Sequence, residues 1–358
     1  MNDIRIIAIN PGSTSTKIAV YQNTEPIFLK TIYHSAEELA PFQRITDQFQ
    51  FRKDIIIQQI KEADIDTDIV RAVMGRGGLL KPIASGVYEV NDVMIHDLQH
   101  RTFREHASNL GGLIAHDLAL HLEDAKAYIA DPIVVDELDD IARFAGHPLF
   151  ERISIFHALN QKATARDFAK TIQRKYEELN LIVVHMGGGI TVGAHQRGRV
   201  IDVNQGLDGE GPFSPERSGT LPVGELITMC LEGKYSEEEI RKMVMGSGGL
   251  VAYLGTNNAV EVEERIEAGD KNARIIYEAM AYQVAKYVGE MFTVLRGDVD
   301  AILITGGIAY DKLFVSWIQE RVFRLAPVHV FPGEDEMKAL AMNGFLVIKG
   351  EITPKEYF

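Results

Sequence analysis

Two copies of one short pattern constrain the fold of this chain most. Residues 6–20 read IIAINPGSTSTKIAV, an apolar strand, a turn of Gly, Ser and Thr, and a second apolar strand. Residues 182–194, IVVHMGGGITVGA, repeat the design, and Gly187 follows Gly12 by 175 positions, close to half the chain. Backbone N–H groups in such turns are open to phosphate oxygens, because no bulky Cβ shields them. The repeat predicts a duplicated α/β protein that holds a nucleotide with two similar turns.

Length, charge and cysteine content narrow the class of protein. A chain of 358 residues is longer than one core usually grows, so we expect two domains. The net charge of −14 argues against a nucleic-acid or anionic-membrane partner. The single cysteine, Cys230, excludes internal disulfides and cysteine-based metal sites. Without a basic leader or an apolar run of membrane-spanning length, we expect a cytoplasmic protein that acts on a small molecule.

Hydrophobic periodicity gives the order of elements. Strands are predicted at 4–9, 16–21, 26–33, 69–74, 125–131, 153–157, 181–186, 191–195 and 199–203, with a further strand that ends in a Gly turn within 300–311. Helices are predicted at about 36–64, 92–100, 111–122, 158–178 and 276–295. The apolar stripe of 276–295 is predicted to be core. A last helix is expected after Gly333, with Glu334, Asp335 and Glu336 in its first turn. The irregular stretch 204–221 is long enough to indicate a functional loop.

The arrangement of the glycines excludes two common nucleotide motifs. The P-loop pattern GxxxxGK[ST] is absent from the sequence. The triple glycine 187–189 leads into another strand instead of a helix, which excludes a dinucleotide-binding fingerprint. Strand–turn–strand is the phosphate-binding arrangement of the actin, sugar-kinase and heat-shock ATPase superfamily, which adds a third Gly-Gly turn under the adenosine. All three turns are present in order, at 10–16, 187–191 and 306–308.

Seven further segments carry a more specific resemblance: AINPGSTSTK, GRGG, REHASN, IFHALNQKATAR, VVHMGGGIT, FSPERSGTLP and ITGGIA. Together they resemble the acetokinase family, and most of all its butyrate kinase branch. The resemblance implies reversible, in-line transfer of the ATP γ-phosphoryl group to a short-chain carboxylate, with Mg²⁺, giving an acyl phosphate and ADP. It also implies a homodimer or a higher homo-oligomer.

The resemblance implies a duplicated fold as well. We expect an α/β protein of two ribonuclease-H-like domains, each built from a β-β-β-α-β-α-β-α unit, with the active site in the cleft between them. The expected domains are residues 1–150 with the C-terminal helix at about 337–358, and residues 151–336.

Four residues are predicted to be catalytic from this resemblance. Arg217, in the loop 204–221, matches the arginine that holds the carboxylate and the transferring phosphoryl group; the alternative is a solvated or loop-stapling arginine. His157 matches a histidine that donates to the phosphoryl oxygens, with a structural histidine as the alternative. Asp131 matches an aspartate near Mg²⁺, although Asp before Pro is often only a turn residue. Arg76 stands where acetate kinases have histidine, and it could reach the carboxylate, only the phosphate, or a neighbouring acid.

The acyl group, the nucleotide and the metal have their own predicted residues. Gly75 falls where acetate kinases carry a branched apolar residue, so its missing side chain is expected to deepen the acyl pocket. His106 and Phe156 are expected at the substrate, although either could be structural. Asn10 and Glu336 are predicted to support the metal, with Asp335 competing for the second position. The predicted nucleotide contacts are Gly12, Ser13, Thr14, His185, Gly187, Gly188, Gly189, Gly306, Gly307 and Ile308.

Two other functions remain open from the sequence. One is an acetate or propionate kinase of the same fold, which a series of carboxylates of different length would distinguish. The other is an ATP-switched binding protein of the actin or chaperone type. Such proteins add peptide-binding or filament-contact regions, and this compact chain has no spare segment for them.

Overall fold

The computed structural model describes residues 3–100 and 106–358. The chain forms two compact units, Met1–Val135 with Asp335–Phe358, and Asp136–Glu334. The domain limits expected from the sequence stay a prediction. Within the described ranges, no helix has both the length and the apolar character that crossing a bilayer requires.

The first unit is built on a six-stranded sheet. Its strands are β1 (Arg5–Pro11), β2 (Ser15–Gln22), β3 (Glu25–Tyr33), β4 (Val70–Arg76), β5 (Val87–Glu89) and β6 (Lys126–Ala130), in the spatial order β3-β2-β1-β4-β6-β5. Its helices are α1 (Ala36–Leu39), α2 (Phe49–Glu62), α3 (Asp92–His100), α4 (Asn109–Leu120) and the C-terminal α12 (Glu336–Ile348). Strand β1 pairs antiparallel with β2 and parallel with β4, so its carboxyl end lies in the middle of the sheet.

The second unit repeats the order of strands. Its strands are β7 (Asn180–Met186), β8 (Ile190–Gln196), β9 (Arg199–Val203), β10 (Ala301–Gly306) and β11 (Val328–Pro332), in the spatial order β11-β10-β7-β8-β9. Its helices are α5 (Ala158–Thr171), α6 (Val223–Glu232), α7 (Glu237–Val244), α8 (Gly249–Leu254), α9 (Ala259–Glu267), α10 (Lys271–Val294) and α11 (Lys312–Val322). The meander β7-β8-β9 matches β1-β2-β3, and β10 lies beside β7 as β4 lies beside β1.

Helices cover both sheets, and this explains the nearly uninterrupted apolar runs of the central strands. In the first unit α4 packs on β4 and β6, and α12 packs on β1 and β4. In the second unit α10 packs on β7 and β8, while α5 packs on β7 and β10. The stripe of α10, including the buried Tyr277, Met280 and Val284, belongs to the core, as predicted. The predicted α/β fold class is confirmed.

Several element predictions are wrong. Residues 153–157 form no strand; this segment bonds the loop after β9 instead, with the N–H of Gly206 donating to Ile155 O at 2.7 Å. The helix predicted at 158–178 ends at Thr171. The helix predicted at 36–64 divides into α1, a short 3₁₀ turn and α2. Helix α12 begins at Glu336, because the Asp335 carboxylate accepts from Lys338 N–H and caps it.

Candidate functional site

The first glycine turn, residues 12–14, joins β1 to β2 at the centre of the first sheet. The N–H of Gly12 donates to Ser15 O at 2.7 Å and closes the turn. Ser13 and Thr14 are exposed, and among the described residues their N–H groups donate to no protein acceptor. The turn therefore presents two peptide donors at the surface, which is what an anion-binding turn requires.

A buried arginine fixes this turn from behind. Arg52, on α2, is 1% exposed and donates to the carbonyls of Gly12 at 2.8 Å and of Ser13 and Ser15 at 3.0 Å. Burial lowers its pKa to about 10, so the guanidinium is charged at neutral pH. The N–H and C=O groups of a trans peptide point in opposite directions. By holding the carbonyls of Gly12 and Ser13, Arg52 turns the N–H groups of the next two residues outward. Sequence reasoning missed Arg52, because an arginine on an amphipathic helix is usually solvated.

A cluster of three polar side chains lies at the carboxyl end of β1. The amide nitrogen of Asn10 donates to Glu336 Oε2 at 2.5 Å, and Arg76 Nη1 donates to the same oxygen at 2.9 Å. Arg76 Nη1 also donates to Asn10 Oδ1 at 3.2 Å. The side chain of Glu336 is 5% exposed. The structure thus brings together the two predicted metal residues and one predicted catalytic residue, while Asp335 caps its helix.

The side chains of this cluster offer only oxygen ligands to a metal ion. Within residues 3–100 and 106–358, no group of three or more His, Cys, Asp or Glu side chains could hold a metal ion. One carboxylate and one amide oxygen suit Mg²⁺, which keeps several waters and takes its other ligands from substrate phosphates. Glu336 and Asn10 are the residues that would hold such an ion from the protein side. It would supply positive charge that offsets the charge of the phosphates.

Asp131 follows β6 in a strained conformation. Its φ of 38° is positive, which is uncommon for a residue before proline. The Asp131 carboxylate accepts from Gly86 N–H at 2.8 Å, and Asp131 N–H donates to Gly86 O at 3.0 Å. These contacts agree with the turn-forming alternative, and backbone strain of this kind is also found at functional sites.

The structure gives Gly75 a packing role, and the acyl pocket expected there stays a prediction. A Cβ at Gly75 would overlap the backbone carbonyl of Gly111 and lie 2.8 Å from the nitrogen of Gly112, both on α4. A Cβ at Gly111 would in turn overlap the backbone of Arg76. The two glycines let α4 pack directly on β4, so the missing side chain serves helix–sheet contact.

His106, which was expected at the substrate, precedes α4 in the sequence. Its Nδ1 contacts Ser108 Oγ at 2.6 Å.

In the second unit, charged side chains surround the triple-glycine turn between β7 and β8. A Cβ at Gly187 would lie 2.9 Å from Glu334 Oε1, and a Cβ at Gly189 would overlap the guanidinium of Arg217. Arg217 also donates from Nη1 to Gly206 O at 2.5 Å. The predicted catalytic arginine thus lies on the predicted phosphate turn. The absence of a side chain at Gly189 leaves room for the guanidinium of Arg217.

Two histidines stand beside this turn. The rings of His157 and His185 stack with centroids 3.8 Å apart and planes 16° apart. His157 precedes α5 and contacts Thr191 Oγ1 through Nδ1 at 2.9 Å. His185 is buried, with Nδ1 2.7 Å from Asn160 Oδ1 and Nε2 3.3 Å from Glu334 Oε1. Glu334 was expected only as a first-turn helix residue, and no local sequence signal indicated its contact with His185.

The third glycine turn follows β10. Gly306 has a φ of 95°, and a Cβ there would overlap the carbonyl of Met186, so only glycine suits this position. A Cβ at Gly307 would meet nothing within 4 Å. Ile308 packs in the hydrophobic core and Gly306 is buried, so Gly307 is the exposed residue of this turn. Phe156 is buried as well.

Comparisons with known proteins agree with this geometry. The acetokinase family model matches residues 149–337, just over half of the chain. An acetate kinase from Porphyromonas gingivalis superposes with a TM-score of 0.76 at 16% identity, covering 96% of this chain and 100% of that one. A propionate kinase from Francisella tularensis subsp. tularensis SCHU S4 gives 0.74 at 18% identity, covering 95% and 98%. An acetate kinase from Entamoeba histolytica gives 0.74 at 16% identity, covering 97% and 98%. At these identities the superpositions establish a shared fold, and the match to the family model establishes the family. The chain belongs to the acetokinase family.

Proposed function

We propose that this protein transfers the γ-phosphoryl group of ATP to a short-chain fatty acid, reversibly, with butyrate or a branched relative such as isobutyrate as the acceptor. The observation that carries the proposal is the contact of the Arg217 guanidinium with the glycine turn 187–189. In the proposed reaction Arg217 binds the acceptor carboxylate and the transferring phosphoryl group, and the backbone N–H groups of the turn bind the nucleotide phosphates. Through this contact the two sets of groups are neighbours. Family membership supports the same reaction.

The chemistry of the acceptor explains why these residue types are needed. A carboxylate must approach a polyanionic phosphate, and two unit charges 4 Å apart repel by about 4 kcal/mol at an effective dielectric constant near 20. The nucleophile is already ionised, so proton transfer is a minor part of the reaction. Catalysis then depends on in-line positioning and on cationic and N–H donors that neutralise charge in the transition state.

The first unit supplies phosphate donors and the metal-binding groups in this proposal. The N–H groups of Ser13 and Thr14 bind phosphate oxygens, and Arg52 holds them in position. Glu336 and Asn10 hold Mg²⁺ on the protein side, and Arg76 keeps both side chains in place through its two hydrogen bonds. Asp131 remains the proposed aspartate near the metal.

The second unit supplies the groups that act on the transferring phosphoryl. Arg217 binds the acceptor carboxylate and stabilises the negative charge that develops during transfer. His157 donates a hydrogen bond to a phosphoryl oxygen, while its ring stacks on His185, which in turn contacts Glu334. The turns at 187–189 and 306–307 bind the nucleotide. His106 and Phe156 are proposed to contact the substrate.

The experiment that tests this function measures acyl phosphate formation directly. Purified protein with ATP and Mg²⁺ is given acetate, propionate, butyrate, isobutyrate or valerate, and the product is trapped with hydroxylamine as the hydroxamate. We expect kcat/KM to be highest for butyrate or isobutyrate. A maximum at acetate or propionate would assign a different member of the same class. No carboxylate-dependent ADP release from folded, Mg²⁺-supplied protein would overturn the proposal.

Gly75→Ala separates the two explanations of that glycine. Because its Cβ would enter the backbone of α4, we expect the substitution to lower the free energy of unfolding by roughly 1–3 kcal/mol, the usual cost of overpacking. Chemical denaturation would measure this loss, with Gly289→Ala as the control, since a Cβ at Gly289 would meet nothing within 4 Å.

If Gly75→Ala folds, the ratio of kcat/KM for butyrate over acetate should be the same as in the parent protein. A variant of normal stability with a reduced ratio of kcat/KM for butyrate over acetate would restore the pocket interpretation. If the ratio is unchanged, Phe156 and Phe213 are the next positions to test, since both are buried aromatic side chains.

A further inference from the structure

A line of buried hydrogen bonds runs through the second unit and ends at His157. Tyr176 Oη lies 2.8 Å from His195 Nδ1, and His195 Nε2 lies 2.9 Å from Gln161 Oε1. Gln161 Nε2 lies 2.8 Å from Thr191 Oγ1, which is 2.9 Å from His157 Nδ1. Gln161, Thr191 and His195 are fully buried, so these polar groups depend on one another for partners.

A backbone carbonyl determines which group donates and which accepts in each hydrogen bond of this line. Gln161 Nε2 also lies 3.1 Å from the carbonyl oxygen of Thr191, which can only accept. The NH₂ group of Gln161 therefore faces Thr191, and its carbonyl oxygen faces His195. It follows that His195 Nε2 donates and that His195 Nδ1 accepts from the hydroxyl of Tyr176. Burial, reinforced by Lys162, holds the pKa of His195 well below its usual range and keeps the ring neutral, as this arrangement requires.

The same reasoning identifies the donor and the acceptor in the hydrogen bond between Thr191 and His157. Thr191 Oγ1 accepts from Gln161, and the hydroxyl hydrogen of this buried threonine needs an acceptor of its own. Among the contacts of Thr191 Oγ1 in the described part of the chain, His157 Nδ1 is the one group that can accept. We propose that the line from Tyr176 to Thr191 fixes His157 as the neutral tautomer protonated on Nε2, which makes Nε2 a hydrogen-bond donor.

Two features of the packing support this assignment. A Cβ at Gly193 would lie 2.7 Å from Gln161 Oε1 and 3.3 Å from His195 Nε2, so a glycine keeps room for the bond between them. The ring of His157 also stacks on His185, whose two nitrogens both face oxygen atoms. The stack holds the ring of His157 in one plane, with its Nδ1 directed at Thr191 Oγ1.

The consequence for catalysis rests on the proposed function. A histidine protonated on Nε2 donates to a phosphoryl oxygen, whereas the other tautomer would present a lone pair and repel it. Thr191, Gln161 and His195 then act through His157 as positioning residues. By analogy with the loss of an outer partner of a metal-bound histidine, removing the Thr191 hydroxyl should lower kcat on the order of ten- to a hundredfold.

The tautomer can be observed without any substrate. Protein labelled with ¹⁵N-histidine is studied by long-range ¹H–¹⁵N correlation spectroscopy, in which a protonated and an unprotonated ring nitrogen give distinct signals. The signal of His157 is identified by its loss in His157→Gln. We expect the pattern of a neutral ring protonated on Nε2 in the parent protein and in Thr191→Ser, which keeps the hydroxyl. In Thr191→Val we expect a mixture of tautomers and the loss in kcat.

Protonation on Nδ1 in the parent protein would overturn the proposal, as would an unchanged tautomer in folded Thr191→Val. If Thr191→Val fails to fold, the spectrum of the parent protein still shows which nitrogen of His157 is protonated. Gly193→Ala, which disturbs Gln161 and His195, then serves as the second variant. Because the spectrum is recorded on ligand-free protein, it is independent of whether the protein phosphorylates carboxylates.

Discussion

Replacing Arg217 by alanine is expected to lower kcat on the order of 10²- to 10³-fold, the effect of losing one preorganised donor to a transition state. The guanidinium lies on the glycine turn 187–189, where charge develops during transfer in the proposed reaction. Nucleotide affinity should change little, because the turn keeps its backbone donors. Steady-state kinetics with butyrate and titration with ADP would measure the two effects separately.

The control for this variant is Arg324→Ala, which removes an exposed arginine of the same unit. Arg217 also donates to Gly206 O, so thermal melts of both variants are needed to detect any loosening of the loop. Near-normal turnover in a stable Arg217→Ala protein would mean that the arginine only fastens the loop.

Replacing Arg52 by alanine should weaken nucleotide binding at least tenfold and also destabilise the protein. The carbonyls of Gly12, Ser13 and Ser15 would lose their donor, and a buried unsatisfied group costs about 1–3 kcal/mol. The outward N–H groups of Ser13 and Thr14 would then lose their fixed direction. Isothermal titration with Mg²⁺-ATP would measure the affinity, and urea denaturation the stability.

Chemical rescue distinguishes the positioning role of Arg52 from general damage. Guanidinium ion at millimolar concentration should re-enter the vacated space and restore part of the nucleotide affinity, whereas urea, a neutral molecule of the same shape, should not. Arg71→Ala is the matched control, because Arg71 also donates to two main-chain carbonyls, those of Asp68 and Val70. Unchanged nucleotide affinity in folded Arg52→Ala would show that Arg52 does not position the turn.

The parts of the fold that the sequence predicted are those set by local patterns. Strands β1 and β2 and the turn between them follow from continuous apolar runs separated by a short run of Gly, Ser and Thr. The same holds for β7, β8 and the triple glycine. Because both turns follow the first strand of a meander, the sequence also places them at equivalent positions in two sheets.

The errors arise where a contact joins residues distant in sequence. Residues 153–157 look like a strand, but their partner is the loop at Gly206 instead of a neighbouring strand. The importance of Arg52 depends on carbonyls some 40 positions away. The role of Gly75 depends on the close approach of α4, which no pattern around residue 75 reveals.

The polar clusters also depend on contacts between residues that are distant in sequence. Asn10 and Glu336 were named from the family resemblance, and their contact across 326 positions is a product of the fold. Glu334, two residues earlier, contacts His185 in the second unit, although it was expected only to complement a helix dipole. Three consecutive acidic residues thus have three different partners, and nothing in their local sequence distinguishes them.

The central claim is that a carboxylate oxygen attacks the γ-phosphorus of ATP, and an isotope measurement tests it most directly. Butyrate labelled with ¹⁸O in its carboxylate is incubated with the protein, ATP and Mg²⁺, and the product is cleaved with hydroxylamine. Hydroxylamine attacks the acyl carbon, so the bridging oxygen leaves with the phosphate. We predict that mass spectrometry of this phosphate will find one ¹⁸O atom in each molecule formed from acyl phosphate. Phosphate that carries no ¹⁸O, released at the same rate without butyrate, would contradict the claim.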